Sequence, residues 1–299
     1  MRLLALKIDV DTYRGTREGV PNLVDMLTRH GAGATFLFSL GPDHTGRAVR
    51  RALRPGFMKK VSRTSVLEHY GLKTLLYGTL LPGPDIGRKC APILRDVAAA
   101  GFETGIHTYD HVKWQDNVAG QTPAWTQREM DKAYRRYQEV FGAAPATHCA
   151  AGWQMNDAAY LQEKQWGMAY ASDSRGTHPF IPVLANGETS CAQLPTTLPT
   201  LDEIIGTDGI DTHNVADAIL GMTADERPYG HVYTLHAELE GQKLAPVFDQ
   251  LLSGWKQQGY RLVSLADYYA ALDKSRLPEE RIIQGEIAGR SGKLALQSS

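Results

Sequence analysis

Two aspartates, Asp9 and Asp11, stand one residue apart where the first apolar run, "LLALKIDV", ends and "DTYRGTREG" begins. A buried strand tolerates two acids only where a cation, a proton or water satisfies them. The stretch "GIHTYDH" puts His107 and His111 four residues apart. On one helical turn or in a tight loop both imidazoles can face one point, a spacing suited to a first-row divalent metal. A two-histidine site takes a third protein ligand, commonly a carboxylate, and leaves positions for water and substrate. Asp11 or Asp9 can supply it, the other standing by the water as general base. His236 ends a further apolar run, "HVYTLH". Each pattern also has a plain reading: a histidine pair at this spacing arises easily among ten histidines, and a strand-terminal histidine can simply be hydrogen-bonded core.

These residues need elements that bring them together. "LLALKIDV" reads as a buried strand, and "VPNLVDMLTRHG" as a helix with a glycine stop. Strand and helix then alternate through "ATFLFSLG", "DIGRKCAPILRDVAAAG", "FETGIHTYDH", "TQREMDKAYRRYQEVFG", "ATHCAAGW", "NDAAYLQEKQWG" and "MAYASD". "SCAQLPTTLP" and "HVYTLHAE" add strands, followed by the helix "KLAPVFDQLLSGWKQQG", the strand "YRLVSL" and a short helix "ADYYAALD". Such alternation implies a parallel sheet, and an α/β barrel is the leading architecture at this length. Function in such barrels sits where strands end, which is where Asp9, Asp11, His107, His111, Trp153, Asp173 and His236 fall.

Composition narrows the class. The 299 residues are 42% hydrophobic and carry a formal net charge of −1, so no global field draws the chain to nucleic acid. Cys90, Cys149 and Cys191 form no CxxC pair, which points to reduced thiols in a cytoplasmic protein. "MRLLALKIDV" does not read as a signal peptide, since Lys7 and Asp9 break its apolar stretch. No apolar run is long enough to span a membrane.

The aspartate pair, the H-T-x-x-H after a middle strand and the L-H after a late strand resemble the polysaccharide deacetylase (NodB-homology) superfamily. Longer stretches, among them "KIDVDTYRGTREGVP", "HTYDHVKWQ", "SDSRGTHPF", "YTLHAELEG" and "IAGRSG", resemble the branch that deformylates 4-deoxy-4-formamido-L-arabinose-phosphoundecaprenol in lipid A modification and polymyxin resistance. The resemblance implies a distorted, incomplete (β/α) barrel over 1–272, with a C-terminal tail at 273–299. It implies amide hydrolysis, with Asp11, His107 and His111 on a divalent transition metal (zinc, cobalt, manganese or iron), Asp9 as base and His236 as acid. Which aspartate is ligand and which is base stays open; superfamily order favours Asp11 as ligand. The superfamily's aspartates are adjacent, whereas Val10 separates them here. Its arginine–proline–tyrosine motif is replaced by "AAGW", so Arg14 or Arg175 is expected to supply the missing cation. Trp153 is expected to wall the sugar ring or to pack as a core residue, Asp173 and Arg175 to orient the site, bind sugar hydroxyls or form only a local ion pair at the strand end, and Asp110 to support a ligand histidine or stand as a solvated loop acid.

One segment, 46–84, has no place in a plain barrel. It holds Arg47, Arg50, Arg51, Arg54, Lys59, Lys60 and Arg63, with a leucine- and tyrosine-rich continuation. Basic and apolar residues together suit an anionic membrane surface. A polyprenyl-phosphate-linked sugar as substrate would set the protein on the cytoplasmic face of the inner membrane. Two alternatives remain: an N-deacetylase acting on another amino-sugar glycan, and a non-catalytic binder of sugar or lipid phosphate.

Overall fold

The computed structural model describes residues 2–52, 72–290 and 292–298. Strand β1 (Leu3–Val10) is buried along its whole length, as expected of a parallel strand covered on both faces. Its side chains alternate. Leu4, Leu6, Ile8 and Val10 join the large apolar cluster under the helices. Leu3 and Ala5 face the interior with Leu37, Cys149, Leu194 and Val232. Lys7 and Asp9 have the interior parity.

β1 is flanked in parallel by β2 (Thr35–Ser39) and β7 (His231–His236), with β3 (Glu103–Thr108) beyond β2. β8 (Arg261–Val263) pairs with Leu3–Ala5, on the half of β1 that β2 does not reach. From β3 the hydrogen bonding continues through short pieces. Cys149 N donates to Ile106 O (2.9 Å), Ser172 N to His148 O (3.0 Å) and Leu194 N to Ala171 O (2.8 Å), and Thr197 N donates to Val232 O (3.0 Å) on β7. The path thus returns to its start as a distorted ring. The named strands on its far side, β4 (Tyr170–Ala171) and β6 (Ala192–Gln193), are two residues each. Pro195 and Pro199 bring no N–H to that stretch, which limits regular pairing there.

The expected helix after β1 spans Val20–His30 and buries Val20, Leu23, Met26 and Leu27; it stops at Gly31, whose φ of 60° is left-handed. Pro123–Phe141 is capped by the Thr122 side chain and ends at Gly142 (φ 70°). The described residues of the C-terminal segment do not trail off. β9 (Glu279–Gly285) and β10 (Leu294–Gln297) form an antiparallel hairpin, and β9 adds to β5 (Ile181–Val183). Arg175 N donates to Ala295 O (2.9 Å), and Gln297 N to Arg175 O (2.8 Å). Of the basic segment, Arg54, Lys59, Lys60 and Arg63 lie outside the described residues; a helix covers Thr45–Ala52. The three cysteines are buried free thiols. Among the described residues no helix is long and apolar enough to cross a membrane.

Candidate active site

β1, β3 and β7 deliver their polar ends to one mouth. Asp11 follows the last residue of β1, His107 is the fifth residue of β3, and His111 opens a helix at His111–Asn117. The Asp110 carboxylate caps that helix by accepting from Lys113 N (3.1 Å), which fixes where His111 starts. His107 Nε2 lies 3.1 Å from Asp11 Oδ1, and His111 Nε2 lies 3.4 Å from Asp11 Oδ2. The histidines therefore meet across a strand-to-helix turn, not along one helix, with ring centroids 5.3 Å apart.

This trio fits a divalent cation. His107 Nδ1 is 2.9 Å from Cys149 O, a group that can only accept, so Nδ1 carries the proton and Nε2 turns a lone pair toward Asp11. Asp11 Oδ1 is buried and has no well-directed hydrogen bond among the described residues, although that nitrogen is close. Two lone-pair atoms at this distance need a positive charge between them. One ligand atom from each of the three side chains lies within 4.8 Å of the other two. Burial would raise the Asp11 carboxyl, yet His111, with His236 behind it, holds it below the ordinary carboxylate range.

Asp9 sits one step deeper, 3% exposed, with its Oδ1 accepting from Cys149 Sγ (3.5 Å) and 4.0 Å from His107 Nδ1. The cation associated with it is Lys7, on the same face of β1. Burial works against the Lys7 ammonium, but the Asp9 carboxylate, with Asp173 behind it, raises its pKa above the usual lysine value. Lys7 Nζ donates to Ser172 O (2.8 Å) and lies 5.2 Å from the Trp153 ring centroid. His236 is on the other flank. Burial opposes its imidazolium, but Asp202 and Asp11 raise its pKa above the usual histidine value. Its Nδ1 is 4.0 Å from Asp202 Oδ1.

Four of the expected residues are buried. Trp153 is 2% exposed; its Nε1 donates to Thr196 Oγ1 (3.2 Å), and the guanidiniums of Arg175 and Arg290 each lie 4.8 Å from its ring centroid. It is a buried platform for cations, not a wall open to a sugar. Asp173 is fully buried, paired with His148 Nδ1 (2.8 Å) and accepting from Gln193 Nε2 (3.1 Å), so it does not reach substrate. Arg175 is buried on Glu203 (2.6 Å) and donates to Leu198 O (3.0 Å). Asp110 accepts from Lys113 N at the head of the His111 helix and is paired with His44 Nδ1 (2.6 Å), so its support of His111 runs through the helix cap. Arg14 is partly exposed and pairs with Glu18 (2.8 Å).

Sequence reasoning missed Lys7, Glu238, Asp202 and Arg290. Glu238 Oε1 accepts from the backbone N–H of Asp11 (3.0 Å) and of Thr12 (2.7 Å), which fixes the turn that carries Asp11. Burial pushes Glu238 up to about 8, with Asp11 adding to it. Lys7 did leave a signal: it shares the alternation that aligned Asp9 with Asp11. Glu238 also left one, two residues past His236 on the same loop.

A short-stranded parallel ring with aspartate and histidine at strand ends defines a carbohydrate-deacetylase type of hydrolase. The chain belongs to the polysaccharide deacetylase family, whose pattern matches residues 3–171. Over its whole length it is 41% identical to the Shewanella sediminis probable 4-deoxy-4-formamido-L-arabinose-phosphoundecaprenol deformylase ArnD, covering 99% of this chain and 95% of that one. In fold it is similar to a Mycobacterium smegmatis crystal structure assigned as a polysaccharide deacetylase, with a TM-score of 0.64 and 15% identity over 96% of each chain. It is also similar to a family 4 acetyl xylan esterase from Clostridium thermocellum solved with a cobalt ion, with a TM-score of 0.52 and 13% identity over 90% of this chain and 91% of that one.

Proposed function

We propose that this chain is a metal-dependent deformylase that hydrolyses the formamide of undecaprenyl-phosphate-linked 4-deoxy-4-formamido-L-arabinose, giving the 4-amino sugar lipid and formate. The observation that carries it is the convergence of Asp11, His107 and His111 on one point, with Asp9 and His236 on either flank. The full-length likeness to the Shewanella deformylase supports the substrate.

Asp11, His107 and His111 would hold a divalent transition metal, whose chemistry there is to acidify water and polarise the formyl oxygen. Asp9 takes the proton from the attacking water. Lys7, buried on the same strand face, balances its charge. The C–N bond then breaks from a tetrahedral adduct, and the amine leaves only if protonated. His236, whose imidazolium is favoured by Asp202 and Asp11, gives that proton. Arg14, partly exposed on the turn after Asp11 and paired with Glu18, is the proposed substrate-binding cation.

The lipid tail implies work at an anionic inner-membrane surface. Supporting this, the turn after Tyr77 shows Leu80 (81% exposed) and Leu81 (37% exposed) to solvent. Asp43 N donates to Pro84 O (2.9 Å), which ties that turn to the loop whose His44 contacts Asp110, next to His111.

The test is mass spectrometry of the formamido-arabinose phospholipid after incubation with wild type and with Asp9→Asn. The expected result is loss of one formyl group by wild type, and a rate lowered by about 10²–10⁴ in the variant. Removal of an acetyl group from the matching acetamido lipid at an equal or higher rate would overturn the formyl assignment.

A further inference from the structure

We infer that Arg290, carried between β9 and β10 by the C-terminal segment, is a positioning residue for hydrolysis that holds Asp202 beside His236. This rests on the deformylase reading above. Arg290 Nη2 donates to Asp202 Oδ1 (3.1 Å) and to Thr200 Oγ1 (2.7 Å), while its Nε donates to Glu203 Oε1 (2.7 Å). Asp202 Oδ1 also accepts from Thr200 Oγ1 (2.6 Å). That same oxygen is the one facing His236 Nδ1, at 4.0 Å. His236 Nδ1 is buried and has no hydrogen-bond partner among the described residues. The carboxylate that can orient the imidazole is thus held by a fork from another part of the chain, about one ångström beyond hydrogen-bonding reach.

The surroundings are built for that fork. The Trp153 ring carries the Arg290 guanidinium, 4.8 Å from its centroid. Gly289, at φ 85°, lets the segment approach: a Cβ there would come within 2.6 Å of Glu203 O. Arg175 shares Glu203 Oε1 with Arg290 at 2.6 Å, so Glu203 keeps a cation when Arg290 is removed. Asp202 instead loses a charged donor. Without that fork the carboxylate oxygen that faces His236 loses the charged donor that sets its position, and the imidazole faces a less closely held partner.

A merely structural bridge would show itself in stability alone. The experiment compares wild type, Arg290→Ala, Arg290→Lys, Asp202→Asn and the Arg290→Ala/Asp202→Asn double variant. Formate release from a short-chain 4-deoxy-4-formamido-arabinose phospholipid is measured alongside thermal unfolding and histidine 15N spectra. Arg290→Ala is expected to lower kcat by about tenfold or more, the range for partners one step removed from a reacting group, with KM little changed. Added guanidinium should restore part of the loss. The double variant should be no slower than Asp202→Asn. The His236 ring signals should move in Arg290→Ala as they do in Asp202→Asn. Should Arg290→Ala fail to fold, Arg290→Lys, which keeps the charge and loses the fork, is read the same way. Unmoved His236 signals overturn the inference, as does a loss confined to KM. A wild type inactive on this lipid overturns the deformylase reading, and the 15N comparison still decides the role of Arg290.

Discussion

The proton on His107 Nδ1 decides what its other nitrogen can do. With that proton committed to Cys149 O, the lone pair on Nε2 meets Asp11 and calls for a cation. Replacing His111 by glutamine is therefore expected to weaken divalent-metal binding by about a hundredfold or more, the upper end of what even outer partners cost. Metal analysis of the purified and reconstituted protein checks it. A second buried histidine makes a pH prediction. Burial opposes the His148 charge, but Asp173 and Glu163 raise it to about 10, while burial and Asp173 push Glu163 up to about 8. Both groups take up protons on folding. Stability from His148 is complete below about 6.5 and lost as pH rises through 10; for Glu163 the decline runs from about 4.5 through 8. The unfolding midpoint is expected to fall by at least a few degrees between about pH 6.5 and 10. The fall should be smaller in a His148→Gln/Glu163→Gln variant, and scanning calorimetry across that range measures it. These same residues show where sequence stopped being informative. Asp9, Asp11, His107 and His236 were legible because each closes an apolar run, and His111 because it stands four residues past His107. Asp173 closes one as well, but its partners come from three distant segments, so nothing local separated a buried pair from a substrate contact. Trp153 misled for a like reason: flanking glycine and glutamine look like a loop, and the arginines covering its ring lie 22 and 137 residues away.

Alternation fixed the elements more securely than the residues. The strands β1, β2, β3 and β7 and the helices between them follow from period and punctuation. The strands β4 and β6 fall within "MAYASD" and "SCAQLPTTLP" but are only two residues each, because prolines and bridging hydrogen bonds replace a regular ladder there. The loops after β1 and β7 interlock in a way that spacing cannot display. A Cβ on Gly15 would come within 2.0 Å of Glu238 Oε1, and one on Gly19 within 1.9 Å of Ala237 O. Both glycines follow Asp11, and both contacted residues follow His236. Gly19→Ala meets backbone, which cannot swing aside, so it is expected to destabilise the protein by about 1–3 kcal/mol or more. Because Glu238 also holds the Asp11 turn, the variant should lose metal affinity as well. Denaturant unfolding and metal titration of the same preparation test both parts.

For the molecule as a whole, the site and the exposed Leu80–Leu81 turn share one side of the ring through His44 and Asp110. Leu80→Ser/Leu81→Ser is expected to weaken binding to vesicles containing anionic lipid several-fold, since each buried leucine contributes about 1.5–3 kcal/mol in full burial. Hydrolysis of a short-chain soluble substrate should be spared. Vesicle co-sedimentation beside a formate assay makes the comparison, and equal loss in both would count against a membrane role. β1 ties this whole arrangement together, since it touches three strands and carries chemistry on one face and packing on the other. Its design is tolerant of exchange and intolerant of length. Trading Leu6 for another aliphatic residue changes one contact. Deleting one residue before Asp9 turns the two acids and Lys7 outward under the helices, and sends Leu6 and Ile8 into the cavity. A lesion of that kind would leave composition, charge and ligand inventory almost intact, and still abolish site and core together.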